Sequence, residues 1–327
     1  MARVAVVFTG GTISTVFDPA AGGNVPLLDG AAILDRTPGI EAIADVVAID
    51  RGRTPASHLT FPTLLEIAAV LRDALADPSI AGAVVVQGTD TIEETSFCWD
   101  LLLDGRKPVV VTGAMRASDE AGFDGPANLR DAVRVAAAPS MRDAGVVVCL
   151  AGTIEPADDV VKMHATALDT FASPNGGSLG RVDGSGVTLS RRRTGRRQVV
   201  ATRAAERVHL ITATVAMDGS LVDAAVAAGA DGIVVAATGA GNTDPRVLAA
   251  GRRAMAAGVP IALASRCVAG RAGTGYAFPG GGATWARAGA LPVGHLCAVK
   301  ARVALALGIG AGLDRAGLTS LLADPLP

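Results

Sequence analysis

The sequence predicts an α/β protein with a larger N-terminal domain, built on a mainly parallel sheet flanked by helices, and a smaller C-terminal α/β domain. Two observations carry this. Short β-branched runs alternate with segments of helical periodicity, the signature of strands joined by helical crossovers. The chain has 327 residues, half of them hydrophobic, enough for two cores at about 100–200 residues per domain.

In chain order, apolar runs at 4–8, 46–49, 83–87, 108–112 and 145–150 read as buried strands. Segments 61–76, 92–103 and 126–138 between them read as helices. The run SRRRTGRR at 190–197 breaks the rhythm and reads as a solvated linker or hairpin arm. Strands resume at 208–212, 232–236 and 260–265. The expected division is therefore 1–190 as the N-terminal catalytic domain, 191–207 as linker and 208–327 as the smaller domain.

Charge and composition exclude several classes of function. With 29 basic against 31 acidic residues, the chain lacks the positive excess that phosphate-backbone binding exploits, so no nucleic-acid partner is expected. No run approaches the ~18 apolar residues of a membrane span. The apolar stretch near Met1 is too short for a signal peptide core, so a cytoplasmic protein is expected. Cys98, Cys149, Cys267 and Cys297 are widely spaced, and His58, His164, His209 and His295 show no ligand spacing, so neither metal nor disulfide is expected. No cofactor motif appears either, because TGGT after the first strand lacks the spacing of a dinucleotide or phosphate loop. A small-molecule substrate remains.

Parallel strands place functional loops at their carboxyl ends. Three such ends combine Gly with Thr: Thr9-Gly10-Gly11-Thr12, Gly88-Thr89-Asp90-Thr91 and Thr112-Gly113-Ala114. Thr12 is either a nucleophile or a helix cap, and Asp90 either a ligand or a cap. A threonine nucleophile needs a base, which a lysine can supply. Only three lysines occur, Lys107, Lys162 and Lys300. Lys162, between apolar neighbours, is the candidate; Lys107 and Lys300 read as surface residues.

TGGTI at 9–13, GTDT with two glutamates at 88–94, VTGAMR at 111–116, DGP.NL at 124–129, Lys162, GAGN at 239–242 and KAR at 300–302 occur in an order that resembles the bacterial-type L-asparaginase family over nearly the whole chain. The resemblance implies hydrolysis of L-asparagine to L-aspartate and ammonia through an acyl-enzyme on Thr12. It implies that Thr89, Asp90 and Lys162 form the second catalytic group. Ser57 would hold the substrate α-carboxylate and Asp90 also its α-ammonium, with Gly11, Gly88 and Ala114 around the amide. Asn242 would reach a neighbouring subunit's site, and a homodimer or homotetramer follows. Glutaminase or another small-amide hydrolase, and a non-catalytic amino-acid sensor, are the alternatives.

Two departures from the family pattern stand out. The loop at 14–30 after the nucleophile holds no tyrosine, only Phe17, and the single tyrosine of the chain, Tyr276, lies far away in sequence. His58 stands where many relatives carry Gln, and a ring there would narrow the pocket against glutamine.

Overall fold

The structure, a computed structural model, describes residues 1–184 and 186–324. Packing divides the chain into two units, Met1–Arg196 and Arg197–Pro327.

The first unit opens with β1 (Arg3–Phe8), a hairpin of β2 (Thr15–Asp18) and β3 (Gly23–Pro26), helix α1 (Gly30–Asp35) and β4 (Asp45–Asp50). Helix α2 (Phe61–Ala76), β5 (Ile80–Val86), α3 (Ile92–Leu102), β6 (Val109–Thr112), α4 (Gly125–Ala137) and β7 (Val146–Leu150) follow. β8 (Thr153–Pro156), the short arm β9 (Val161–Lys162) and β10 (Phe171–Ala172), and the hairpin β11 (Gly180–Asp183) and β12 (Gly186–Leu189) complete it. The main sheet has eight strands in the order β12-β11-β8-β7-β6-β5-β1-β4. β4, β1, β5, β6 and β7 are parallel, and β8, β11 and β12 extend the sheet antiparallel. β1, β5, β6 and β7 are buried almost throughout, which is why they read as continuous apolar runs rather than alternating ones, while the edge strand β4 is half-buried or exposed along its length. Helix α4 contributes Leu129, Val133 and Ala136 to an apolar core of this unit that also holds Val84, Val110 and Val147. Trp99, fully buried on α3, donates its indole N–H to the Leu64 carbonyl of α2 at 3.0 Å, satisfying the polar edge of a core aromatic.

This strand order has a functional consequence. The chain leaves β1 for β4 on one side, then crosses back to β5 on the other. The connections after β1 and β5 therefore run to opposite sides, and it is at such a switch point, in a crevice at the carboxyl ends of the strands, that open α/β sheets bind ligands.

The second unit holds a four-stranded parallel sheet: β13 (Val208–Thr212), β14 (Gly232–Ala237), β15 (Ile261–Ser265) and β16 (Leu291–Pro292). Helices α5 (Ser220–Ala227), α6 (Pro245–Ala256), α7 (Gly282–Ala288), α8 (Ala298–Gly310) and α9 (Arg315–Leu322) cover it. α8 packs against both the sheet and α9, so its apolar residues spread around the helix instead of forming one stripe.

Two expectations are corrected here. Lys300 is not a surface residue: it is fully buried on α8, because that helix has neighbours on both sides. The basic run at 190–197 is not a solvated arm either. Arg193 and Arg196, with side chains 5% and 12% exposed, both pair with Asp100, which is 1% exposed. Arg196 also donates to the carbonyls of Asp100, Leu103 and Asp104, which closes the unsatisfied carbonyl end of α3 with positive charge. Burial pushes the Asp100 carboxyl up, but the two guanidinium groups outweigh it and hold the group below the usual carboxylate range.

The thiols of Cys98 and Cys149 are buried. Burial pushes Cys98 up to about 12 and Cys149 higher still, so both stay protonated and act as small hydrophobes.

Candidate active site

The site is built from strand register. Phe8 of β1 lies level with Asp50 of β4 and Val86 of β5, and Val86 with Thr112 of β6. The loops that follow, Gly10-Gly11-Thr12, Gln87-Gly88-Thr89 and Gly113-Ala114, therefore leave the sheet at one height. Close backbone contact then draws them together. Gly11 has φ +93, and a Cβ there would lie 2.0 Å from the Gly88 nitrogen. Only glycine fits such a conformation and such an approach. A Cβ at Gly113 would sit 2.4 Å from the Gln87 carbonyl and 3.2 Å from Thr89 Cγ2, so the β6 loop rests on the β5 loop.

Thr12 opens a single 3-10 turn, Thr12–Ser14, whose N-cap is Gly11. The Thr12 hydroxyl does not cap it and makes no hydrogen bond among the described residues. Ser14 Oγ and Thr15 Oγ1 instead bond back to the carbonyls of Gly11 and Thr12 at 2.7 and 2.8 Å, which fixes the turn and leaves the Thr12 oxygen available. Asp90 lies in the 3-10 turn Thr89–Thr91 and does not cap α3.

Asp90 instead pairs with Lys162. Lys162 Nζ lies 2.8 Å from Asp90 Oδ1 and 3.0 Å from Thr89 Oγ1. Thr89 is buried, the lysine side chain is 13% exposed, and the Asp90 carboxylate is largely open to solvent. A hydroxyl, an amine and a carboxylate are thus in contiguous hydrogen-bond contact, an arrangement that can pass a proton toward or away from the crevice. The lysine belongs to β9, whose pairing with β10 and whose Lys162 N–H bond to the Glu93 carboxylate (3.2 Å) hold it beside α3.

Ser57 and His58 sit exposed on the 3-10 turn Ala56–His58. Thr91 Oγ1 donates to the Ala56 carbonyl at 3.2 Å, which ties this turn to the one bearing Thr89 and Asp90. Ala114 is buried. Asn242 belongs to the second unit, on a tight turn closed by its own backbone bonds to Thr238. Its buried Oδ1 has no hydrogen-bond partner among the described residues. Tyr276, also in the second unit, is half exposed, with its ring 5.6 Å from that of Phe278.

Several residues that organise the site carry no catalytic signal in the sequence. Asp124 accepts from the backbone N–H groups of Met115 and Arg116, and Asn128 Nδ2 donates to the Gly113 carbonyl and to Asp124. These bonds hold the β6 loop and explain DGP.NL, a motif whose spacing alone gives no role. Gln87 Oε1 accepts from Thr95 Oγ1 while its Nε2 donates to the Gly88 carbonyl. The segment expected as a loop after Thr12 forms the β2–β3 hairpin. It is tied down where Phe17 N–H donates to Asp119 and Ser118 Oγ donates to the Thr15 carbonyl. Phe17 itself is 53% exposed. Among the described residues no group of three or more His, Cys, Asp or Glu could hold a metal ion.

Residues 3–195 match the family model of the asparaginase N-terminal domain, and residues 207–322 that of the glutaminase/asparaginase C-terminal domain. A probable L-asparaginase of Deinococcus radiodurans is 36% identical, over 96% of this chain and 94% of its own. An L-asparaginase of Bacillus licheniformis is 31% identical over 93% and 94%. The crystal structure of a probable cytoplasmic L-asparaginase from Campylobacter jejuni superimposes with a TM-score of 0.88 at 27% identity, covering 98% of this chain and 99% of that one.

Proposed function

The chain belongs to the L-asparaginase family of amidohydrolases, and from that premise we propose that it hydrolyses L-asparagine through an acyl-enzyme on Thr12. The Thr12 oxygen bonds to the side-chain carboxamide carbon, the C–N bond breaks, and ammonia leaves carrying the hydroxyl proton. Water then attacks the ester, releasing L-aspartate and restoring the threonine. A hydroxyl at its ordinary pKa is a weak nucleophile, so the attacking oxygen needs a proton acceptor. The Thr89–Lys162–Asp90 chain lies ready to accept that proton and to return it. The single observation that carries this reading is the pair of Lys162 contacts, 2.8 Å to Asp90 and 3.0 Å to Thr89, beside the crevice where Gly11 abuts Gly88.

Substrate is held by charge and by backbone. Ser57 binds the α-carboxylate, Asp90 faces the α-ammonium as its counter-ion, and backbone groups at Gly11, Gly88, Thr89 and Ala114 surround the amide and polarise its oxygen. Asn242 serves the site of a second copy in a homodimer or homotetramer, a reading supported by its unpartnered Oδ1. A cytoplasmic location is the matching proposal, supported by the Campylobacter relative's description. Among the described residues no helix is long and apolar enough to cross a membrane.

Parallel ammonia-release assays on L-asparagine and L-glutamine test the substrate. Asparagine is expected to be turned over well above a no-enzyme blank and, with His58 in the pocket, faster than glutamine. An asparagine rate equal to the blank sinks the proposal, and a faster glutamine rate overturns the role given to His58.

A further inference from the structure

The basic run at 190–197 is only partly used by its pairing with Asp100. Beside it lies a cavity of about 90 Å³, whose lining includes Ser140, Arg142, Arg191, Arg192 and Arg193. Such a volume has room for a small oxyanion.

The donors around this cavity are incompletely satisfied. Arg193 spends its Nη groups on Asp100, Asp158 and the Ala144 carbonyl, yet its Nε is buried with no partner, on a side chain 5% exposed. Arg191 donates through Nη2 to the Gly177 carbonyl, and its Nε is likewise buried and unpartnered. A buried guanidinium N–H without an acceptor is costly to leave unmade. Arg142 and Arg192 make no ion pair and no side-chain hydrogen bond among the described residues. Asp100 and Asp158 neutralise Arg193, so the positive excess comes from Arg142, Arg191 and Arg192 against the one acid in the lining, Asp143. No aromatic ring lines the cavity, which removes the stacking surface a nucleobase would use.

We propose that this cavity binds a small tetrahedral oxyanion, a phosphate or the phosphoryl end of a small metabolite, through the Arg142 and Arg192 guanidinium groups, with Arg191 and Arg193 beside them in the lining. Guanidinium groups present N–H pairs that match such an anion. The site lies outside the Thr12 crevice and does not depend on the reaction proposed there.

Inorganic phosphate and glycerol 3-phosphate are titrated calorimetrically into the full-length protein, in chloride buffer of constant ionic strength. The same titrations use the variant Arg142→Gln/Arg192→Gln, whose two side chains hold nothing else in place. Saturable single-site binding is expected in the unaltered protein, weakened about tenfold or more in the variant, with melting temperature without phosphate and asparagine hydrolysis unchanged. Binding of both ligands assigns an open phosphoryl site, and binding of inorganic phosphate alone assigns a site for the free ion; either supports the proposal. Absence of saturable binding, or equal affinity in protein and variant, overturns it.

Discussion

Lys162 carries the proposed proton transfer at one atom. Its Nζ touches both Thr89 and Asp90, so replacing it removes the proton path while leaving the backbone pairing of β9 with β10 in place. Lys162→Met is expected to lower kcat by about 10²–10⁴-fold, the usual worth of a positioned acid or base, with the circular dichroism spectrum unchanged. Activity and pH dependence equal to the parent would remove Lys162 from the mechanism. Lys162 stands out in the sequence as a candidate because lysine is so scarce there. Its partners in position do not: Glu93, which holds its backbone N–H, lies 69 residues away, and nothing local announces the bond. Asp124 and Asn128 show the same limit, since a carboxylate that organises backbone N–H groups looks in sequence like any helix-start acid.

Among the elements, the central parallel strands β1, β5, β6, β7, β14 and β15 were legible because burial on both faces writes itself as an apolar run, whereas the two-residue edge strand β16 was not. β8, β9, β10 and the hairpins were not, being short, partly exposed and mixed in composition. The C-terminal half of α3 shows how tertiary pairing overrides local composition. Arginines that read as solvated face are drawn inward by one buried carboxylate, Asp100, and by the open carbonyls of the helix end. Asp100→Asn breaks that cluster and is expected to cost about 3–5 kcal/mol near neutral pH. The sign with pH follows from the lowered pKa of Asp100. Its contribution is complete above the ordinary carboxylate value of about 3.9 and is lost as pH falls through the lower folded value. Denaturant melts of parent and variant should therefore differ most near neutrality and converge below about pH 4; a gap independent of pH would refute the ion-pair account.

For the whole molecule, the two units were legible as a break and restart of strand rhythm, and the switch point between the β1 and β5 connections followed only once the strand order was known. Assembly belongs to this scale. The proposed role of Asn242 in a neighbouring site requires more than one copy, so light scattering behind size exclusion should return twice or four times the chain mass. A strictly monomeric, fully active species would rule that role out. The central claim is that Thr12 is the nucleophile, and ammonia release from L-asparagine by Thr12→Ala tests it most directly. With the melting temperature retained, turnover is expected to collapse to the no-enzyme blank, because Thr89, Asp90 and Lys162 then have no attacking hydroxyl to serve; turnover close to that of the unaltered protein would contradict the account.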